Sequence, residues 1–235
     1  MIERIPTGIP GLDELIEGGI PKGSQILVAG ETGVGKTIFS CQIAYNKAKE
    51  GLKTYYMTIE ENDRSIIKGI SRFRWGKEFE DFVKSEHIII ERIIPLTIED
   101  ITRKVLSAYD KYKFKIFVLD TLTAAAMGWK ELQDLPKLRR NIFSLIDILR
   151  QYGVTSLMLS EIEEGGNKIF RYGFEGFLVD GIFLLRRFEL GRSFITFNVL
   201  KMRYTNHSKD LYDVIIGDNG IYIKEKERGL VLPKV

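Results

Sequence analysis

Five short apolar runs, rich in β-branched and aromatic residues, recur at residues 25–29, 54–59, 114–119, 155–159 and 181–185. Several are apolar without alternation, the pattern of strands covered on both faces. Between them, apolar positions return at helical spacing over residues 37–50, 63–75, 98–112 and about 136–152. Thr97 followed by Asp100 imitates a capping box, with Asp in place of Glu or Gln. Pro136 suits a first helical turn and Gly153 a C-terminal cap. Strands that alternate with helices predict βα units, hence an α/β fold whose central sheet is mostly parallel and flanked by helices. The tail changes character. Residues 192–204 read as a strand, and 221–224 follow a turn at Asp218-Asn219-Gly220, which predicts a C-terminal antiparallel extension. No repeat, linker or low-complexity stretch interrupts the pattern, so residues 1–235 are expected to form a single domain.

The junction of the first strand with the first helix carries the clearest chemistry. Gly30, Glu31, Thr32, Gly33, Val34, Gly35, Lys36 and Thr37 fit the phosphate-loop pattern of glycine, four residues, glycine, lysine and threonine. Glycines let backbone N–H groups converge on phosphate oxygens, and the helix that follows directs its positive end at the same oxygens. Lys36 is placed to reach the terminal phosphates and Thr37 to ligate magnesium. The residues therefore predict ATP or ADP with Mg2+.

A magnesium site of this kind needs a second acidic contact at a strand end, and Asp120 closes the apolar run Ile116-Phe117-Val118-Leu119. The run at 54–59 ends in Glu60 and Glu61. A carboxylate there could orient and deprotonate water beside the terminal phosphate, with Glu60 the preferred base; alternatively, Glu61 or Asp63 simply caps the next helix electrostatically. Ser160 and Glu161 end another strand, where they either sense the terminal phosphate or begin a solvated loop. Lys201 and Arg203, two apart on the tail strand, share a face with Ile195, Phe197 and Val199, and His207 follows. They are either a solvated basic end or cations offered to a neighbouring subunit's ATP.

Composition narrows the setting more than the chemistry. The chain is 44% hydrophobic and 29% charged, with a net charge of +3, so a strongly basic nucleic-acid binder is not indicated. The single Cys41 cannot form an internal disulfide, and no apolar run approaches the roughly 18–20 residues that span a bilayer. A cytoplasmic protein without a membrane partner is expected.

The opening Thr7-Gly8-Ile9-Pro10-Gly11-Leu12-Asp13, followed by Gly18-Gly19-Ile20-Pro21-Lys22-Gly23, leads straight into the phosphate loop. With Glu60-Glu61, Tyr172-Gly173-Phe174-Glu175, Val179-Asp180-Gly181 and Lys201-Met202-Arg203, these motifs resemble the RecA superfamily, in particular its KaiC-like branch and the archaeal RadA paralogues. The resemblance covers nearly the whole chain. It implies a RecA-like P-loop NTPase core and an ATPase assembled as a ring or filament. It makes Glu60 and Glu61 the catalytic carboxylates, and Lys201, Arg203 and His207 contributors to the next subunit's nucleotide. It also implies that Lys168, Phe170, Arg171 and Tyr172 lie in a loop lining a DNA channel, a basic and aromatic mixture suited to single strands. The expectation drawn from it is a slow, oligomer- or DNA-dependent ATPase that binds single-stranded DNA as an accessory to a recombinase in repair. A regulatory ATPase ring that ignores DNA is the alternative.

Overall fold

The computed structural model describes residues 2–94, 97–127, 134–166 and 168–225. In chain order the elements are β1 (Arg4–Ile5), β2 (Ile20–Pro21), β3 (Gln25–Gly30), α1 (Lys36–Lys49), β4 (Thr54–Thr58), α2 (Asp63–Ile70), α3 (Gly76–Lys84), β5 (Ile88–Arg92) and α4 (Ile98–Tyr112). There follow β6 (Ile116–Asp120), α5 (Leu122–Met127), α6 (Leu135–Gln151), β7 (Thr155–Glu161), α7 (Glu175–Leu178), β8 (Gly181–Leu190), β9 (Arg192–Met202), β10 (Tyr212–Gly217) and β11 (Gly220–Glu225).

Nine strands form one sheet in the order β11-β10-β9-β8-β3-β7-β6-β4-β5. From β8 to β5 the pairs are parallel, and β9, β10 and β11 extend the sheet antiparallel. This is the expected α/β core with its antiparallel tail. One apolar layer packs α1, α2 and α3 onto one face of the sheet, and a second packs α4 and α6 onto the other. Phe39 of α1 lies edge-on to Phe183, ring centres 6.0 Å apart, and stacks on Phe197 at 6.2 Å, which joins the parallel and antiparallel halves. Burying each such ring contributes about 2–3 kcal/mol.

The caps read from sequence form. The Thr97 side chain accepts from Asp100 N while the Asp100 carboxylate accepts from Thr97 N, closing the capping box of α4. The opening motif is a clasp. Asp13 Oδ1 accepts from the backbone and hydroxyl of Thr7, each at 2.7 Å, and Asn46 of α1 donates to Thr7 O. Gly11, at φ +82°, lets Pro10 O accept from Ile223 N of β11, since a Cβ there would stand 2.0 Å from Ile223 O. The first residues thus lock the last strand.

The structure departs from the pattern at several places. The helix expected over 63–75 stops at Ile70, because Trp75 turns inward to stack on Tyr45 at 5.0 Å and donates Nε1 to Asn219 O. A second helix, α3, then begins at Gly76. The edge strand β5 and the strand β10 were not expected. β5 is short and half-exposed, and β10 alternates only weakly. The third strand begins at Ile116 rather than 114, with Phe114 buried just before it.

Candidate functional site

β3 ends at Gly30 in mid-sheet, between β7 and β8, and the chain turns through 31–35 into α1. Gly35 is the N-cap at φ +95°, so no side chain covers the leading N–H groups of α1 and they are left for an external anion. Val34 is fully buried and anchors the loop, while Thr32 and Gly33 are exposed at its rim. The Lys36 ammonium donates to Gly30 O and Glu31 O, both at 2.9 Å, across the base of the loop. Burial lowers its pKa, and the carboxylates of Glu161, Asp120, Glu60 and Glu31 work against that effect.

Glu31 does not offer its carboxylate to this space. It is buried and accepts from Arg187 N at 2.8 Å and Gly165 N at 3.3 Å. Arg187 also donates Nη2 to Gly33 O at 3.3 Å. The rim of the loop is therefore tied to β8 and to the chain that follows β7.

Thr37 Oγ1 donates to Asp120 Oδ2 at 2.9 Å, and Tyr56 donates its hydroxyl to the same oxygen at 2.6 Å. Burial raises the pKa of Asp120, opposed by the hydrogen bonds from Tyr56 and Thr37 and by the charge of Lys36. Burial and the nearby Asp120 carboxylate push the Tyr56 phenol well above its ordinary value. A hydroxyl beside a carboxylate is a hard-oxygen donor pair, which fits a magnesium ion that takes phosphate oxygens and water for the rest of its shell. Among the described residues there is no cluster of three or more His, Cys, Asp or Glu able to enclose a metal.

Glu60 and Glu61 follow β4, whose last residue Thr58 lies level with Asp120 in the neighbouring strand. Thr58 Oγ1 donates to Glu61 O at 2.9 Å and fixes the turn, and the Asn62 side chain caps α2 by accepting from Ser65 N. Asn62 thus makes the capping hydrogen bond, and Asp63 occupies the first turn of α2 where an acidic charge favours the helix start, while Glu61 lies before the cap. Glu60 is exposed, yet partial desolvation raises its pKa, followed by repulsion from Glu161, Asp120 and Glu61. The charges of Glu60, Asp120 and Glu161, with that of Glu31, all act on the Lys36 ammonium.

Ser160 and Glu161 divide. Ser160 is buried against Thr123, with hydroxyls 3.3 Å apart, whereas Glu161 is half-buried, level with Gly30 and within reach of Lys36 through space. Of the two expected sensors, Glu161 faces the site.

Lys201 and Arg203 lie at the opposite end of the strands from the phosphate loop, where β9 finishes beside the start of β8. Met202 pairs with Gly181, at the start of β8, while the phosphate loop follows the end of β3. The separation is one strand length, roughly 17–20 Å at about 3.3 Å per residue. Lys201 donates to Gly176 O at 2.9 Å and Val179 O at 2.6 Å. Arg203 is about half exposed, 3.7 Å from Asp180, which Arg150 also grips at 2.9 Å. His207 Nδ1 stands 2.8 Å from Ser208 O. These three residues do not meet their own chain's phosphate loop.

In the loop after β7, Lys168 and Arg171 are exposed, but Phe170 and Tyr172 are half-buried against the α4–α6 core layer. Tyr172 stacks on Phe174 at 6.2 Å, and a Cβ at Gly176 would collide with the Phe170 ring. Much of each ring is therefore unavailable for stacking on bases. The resemblance also places residues 124–135 along such a DNA channel, and of these 128–133 lie outside the described residues.

Sequence reasoning did not identify Tyr56, Arg187 or Thr123. Tyr56 lies inside an apolar strand, and Arg187 reaches the loop across 154 residues, a contact that no local pattern announces.

A family model described as "ATPase: KaiC" matches residues 5–228. The chain is 31% identical over 237 residues to the circadian clock oscillator protein KaiC of Prochlorococcus marinus subsp. pastoris, covering 94% of this chain and 45% of that protein. It is 33% identical over 235 residues to the circadian clock protein KaiC3 of Synechocystis, covering 94% and 46%. The chain spans about half the length of these curated relatives. The crystal structure of the KaiC-like protein PH0186 from Pyrococcus horikoshii superposes with a TM-score of 0.85 at 33% identity, covering 95% of this chain and 99% of that one. The chain belongs to the KaiC ATPase family, within the RecA superfamily. Nothing in these relatives' names bears on DNA or recombination. No helix among the described residues is long and apolar enough to cross a membrane.

Proposed function

We propose that this member of the KaiC ATPase family is a regulatory ATPase domain, which binds ATP with magnesium at Gly30–Thr37 and hydrolyses it slowly. The observation that carries the reading is the convergence of Lys36, Thr37 and Asp120 at the mouth of an uncapped helix. Lys36 would leave the carbonyls of Gly30 and Glu31 for the terminal phosphates, and Thr37 with Asp120 would hold the magnesium, which supplies charge neutralisation between phosphates. Glu60 would accept a proton from the attacking water while Glu61 fixes the turn that presents it. ADP and phosphate are the products.

Lys201 and Arg203 would complete the site of an adjacent copy, because their own phosphate loop is a strand length away. A homo-oligomer, ring or filament, follows from that reading. The regulatory role is preferred to single-stranded DNA binding because Phe170 and Tyr172 are half-buried against the core, which leaves less of each ring for stacking on bases. ATP turnover per subunit measured against protein concentration tests the proposal, with and without single-stranded DNA. Turnover that rises with concentration and ignores DNA supports it. No magnesium-dependent ATP binding, or a DNA-stimulated rate together with salt-sensitive DNA binding, would replace it.

A further inference from the structure

The carboxylate of Asp120 has a partner that belongs to neither nucleotide motif. Tyr56 lies in the middle of β4, paired with Val118 of β6, and its side chain is fully buried. Its hydroxyl donates to Asp120 Oδ2 at 2.6 Å, the oxygen that also receives Thr37 Oγ1 at 2.9 Å. Ser40 Oγ stands 3.0 Å from both the Tyr56 hydroxyl and Thr37 O, with one proton to give to either. A circuit therefore runs from the Thr37 hydroxyl through Asp120, Tyr56 and Ser40 back to the Thr37 backbone.

Packing does not ask for this hydroxyl. Phenylalanine would occupy the same core space, and a buried phenol costs free energy unless it is bonded. What the phenol adds is a fixed orientation of Asp120. With Oδ2 held by both Tyr56 and Thr37, Oδ1 is the oxygen these two bonds leave for the magnesium site.

We propose that Tyr56 is a positioning residue for the magnesium site, holding Asp120 so that its carboxylate and the Thr37 hydroxyl meet the ion together. The inference rests on the magnesium-nucleotide reading above. Outer partners of metal ligands commonly control ion affinity by about ten-fold or more, without touching the ion.

The test is Tyr56→Phe in the full chain, with ATPγS binding measured by calorimetry across a magnesium titration and again in EDTA. The same titration with Mn2+, followed by paramagnetic resonance of the free ion, gives a readout independent of turnover. The variant should raise the Mg2+ and Mn2+ midpoints about ten-fold, leave ATPγS affinity in EDTA within about two-fold, and keep a cooperative melt. Ion midpoints within about two-fold of the parent would overturn the inference. Ser40→Ala, which removes a hydroxyl that does not touch Asp120, is expected to leave the midpoints nearly unchanged. A shift from it as large as that expected of Tyr56→Phe would show that any gap in the circuit suffices, and would also overturn the proposal. Absence of ion-dependent ATPγS binding in the parent would instead remove the nucleotide reading, and this inference with it.

Discussion

The Thr37 hydroxyl donates to Asp120 Oδ2 at 2.9 Å, joining the second residue of α1 to the last residue of β6 across 83 positions of chain. The bond holds because both elements are anchored independently. α1 is fixed by the Phe39 cluster and β6 by parallel pairing on both sides. Site geometry here is a by-product of core packing.

Lys36→Ala removes the cation on which the charges of Glu161, Asp120, Glu60 and Glu31 act. Calorimetry should show ATP affinity reduced at least 100-fold and turnover near background, by analogy with other preorganised charge contacts. A cooperative melt would confirm that the loss is local.

Glu60→Gln should retain ATP binding while turnover falls roughly 100-fold or more. Partial burial and the neighbouring carboxylates raise the Glu60 pKa, and the base must be ionised to accept a proton. Activity should therefore decline as pH falls through a value above the ordinary ~4.3 of glutamate. A pH–rate profile that is flat across that region would remove Glu60 from the role.

Glu31→Ala strips two backbone amides, Arg187 N and Gly165 N, of a buried acceptor. A cost of about 3–6 kcal/mol is expected from two lost charge-assisted bonds. Hydrogen exchange should quicken at Gly165 and Arg187 before it does so in β3.

Gly11→Ala would drive a Cβ against Ile223 O at 2.0 Å in a left-handed backbone. Destabilisation of at least ~2 kcal/mol follows from strain and displacement of β11. That corresponds to a fall in melting temperature of about 4–8 °C for a chain of this size.

Arg203→Ala and Lys36→Ala offer a complementation test. If Arg203 serves an adjacent copy, each variant alone should be nearly inactive, while an equimolar mixture recovers part of the turnover. A mixture no better than its components would mean that Arg203 does not act across subunits.

The phosphate loop was legible because its chemistry is contiguous, with glycines, lysine and threonine set by spacing alone. Asp120 was legible once the loop supplied its context. The Tyr56 hydroxyl was not, since its strand reads as apolar with or without it. The break between α2 and α3 was hidden for a similar reason. Residues 63–75 keep helical periodicity, and only the docking of Trp75 onto Tyr45 and the turn at Asn219 decides against continuing. β5 escaped notice because a short edge strand needs only one buried face, and its five residues leave too little pattern to see.

The reversal between β8 and β9 has a geometric outcome of its own. It makes the molecule two-ended, with the nucleotide mouth at one pole and Arg203 at the other. If Arg203 serves the nucleotide of an adjacent copy, giving at one pole and receiving at the opposite one, a face-to-face pair would leave contacts unmet. Copies joined in that sense repeat a single rotation, and the size of that rotation alone separates a closed circle from an endless spiral.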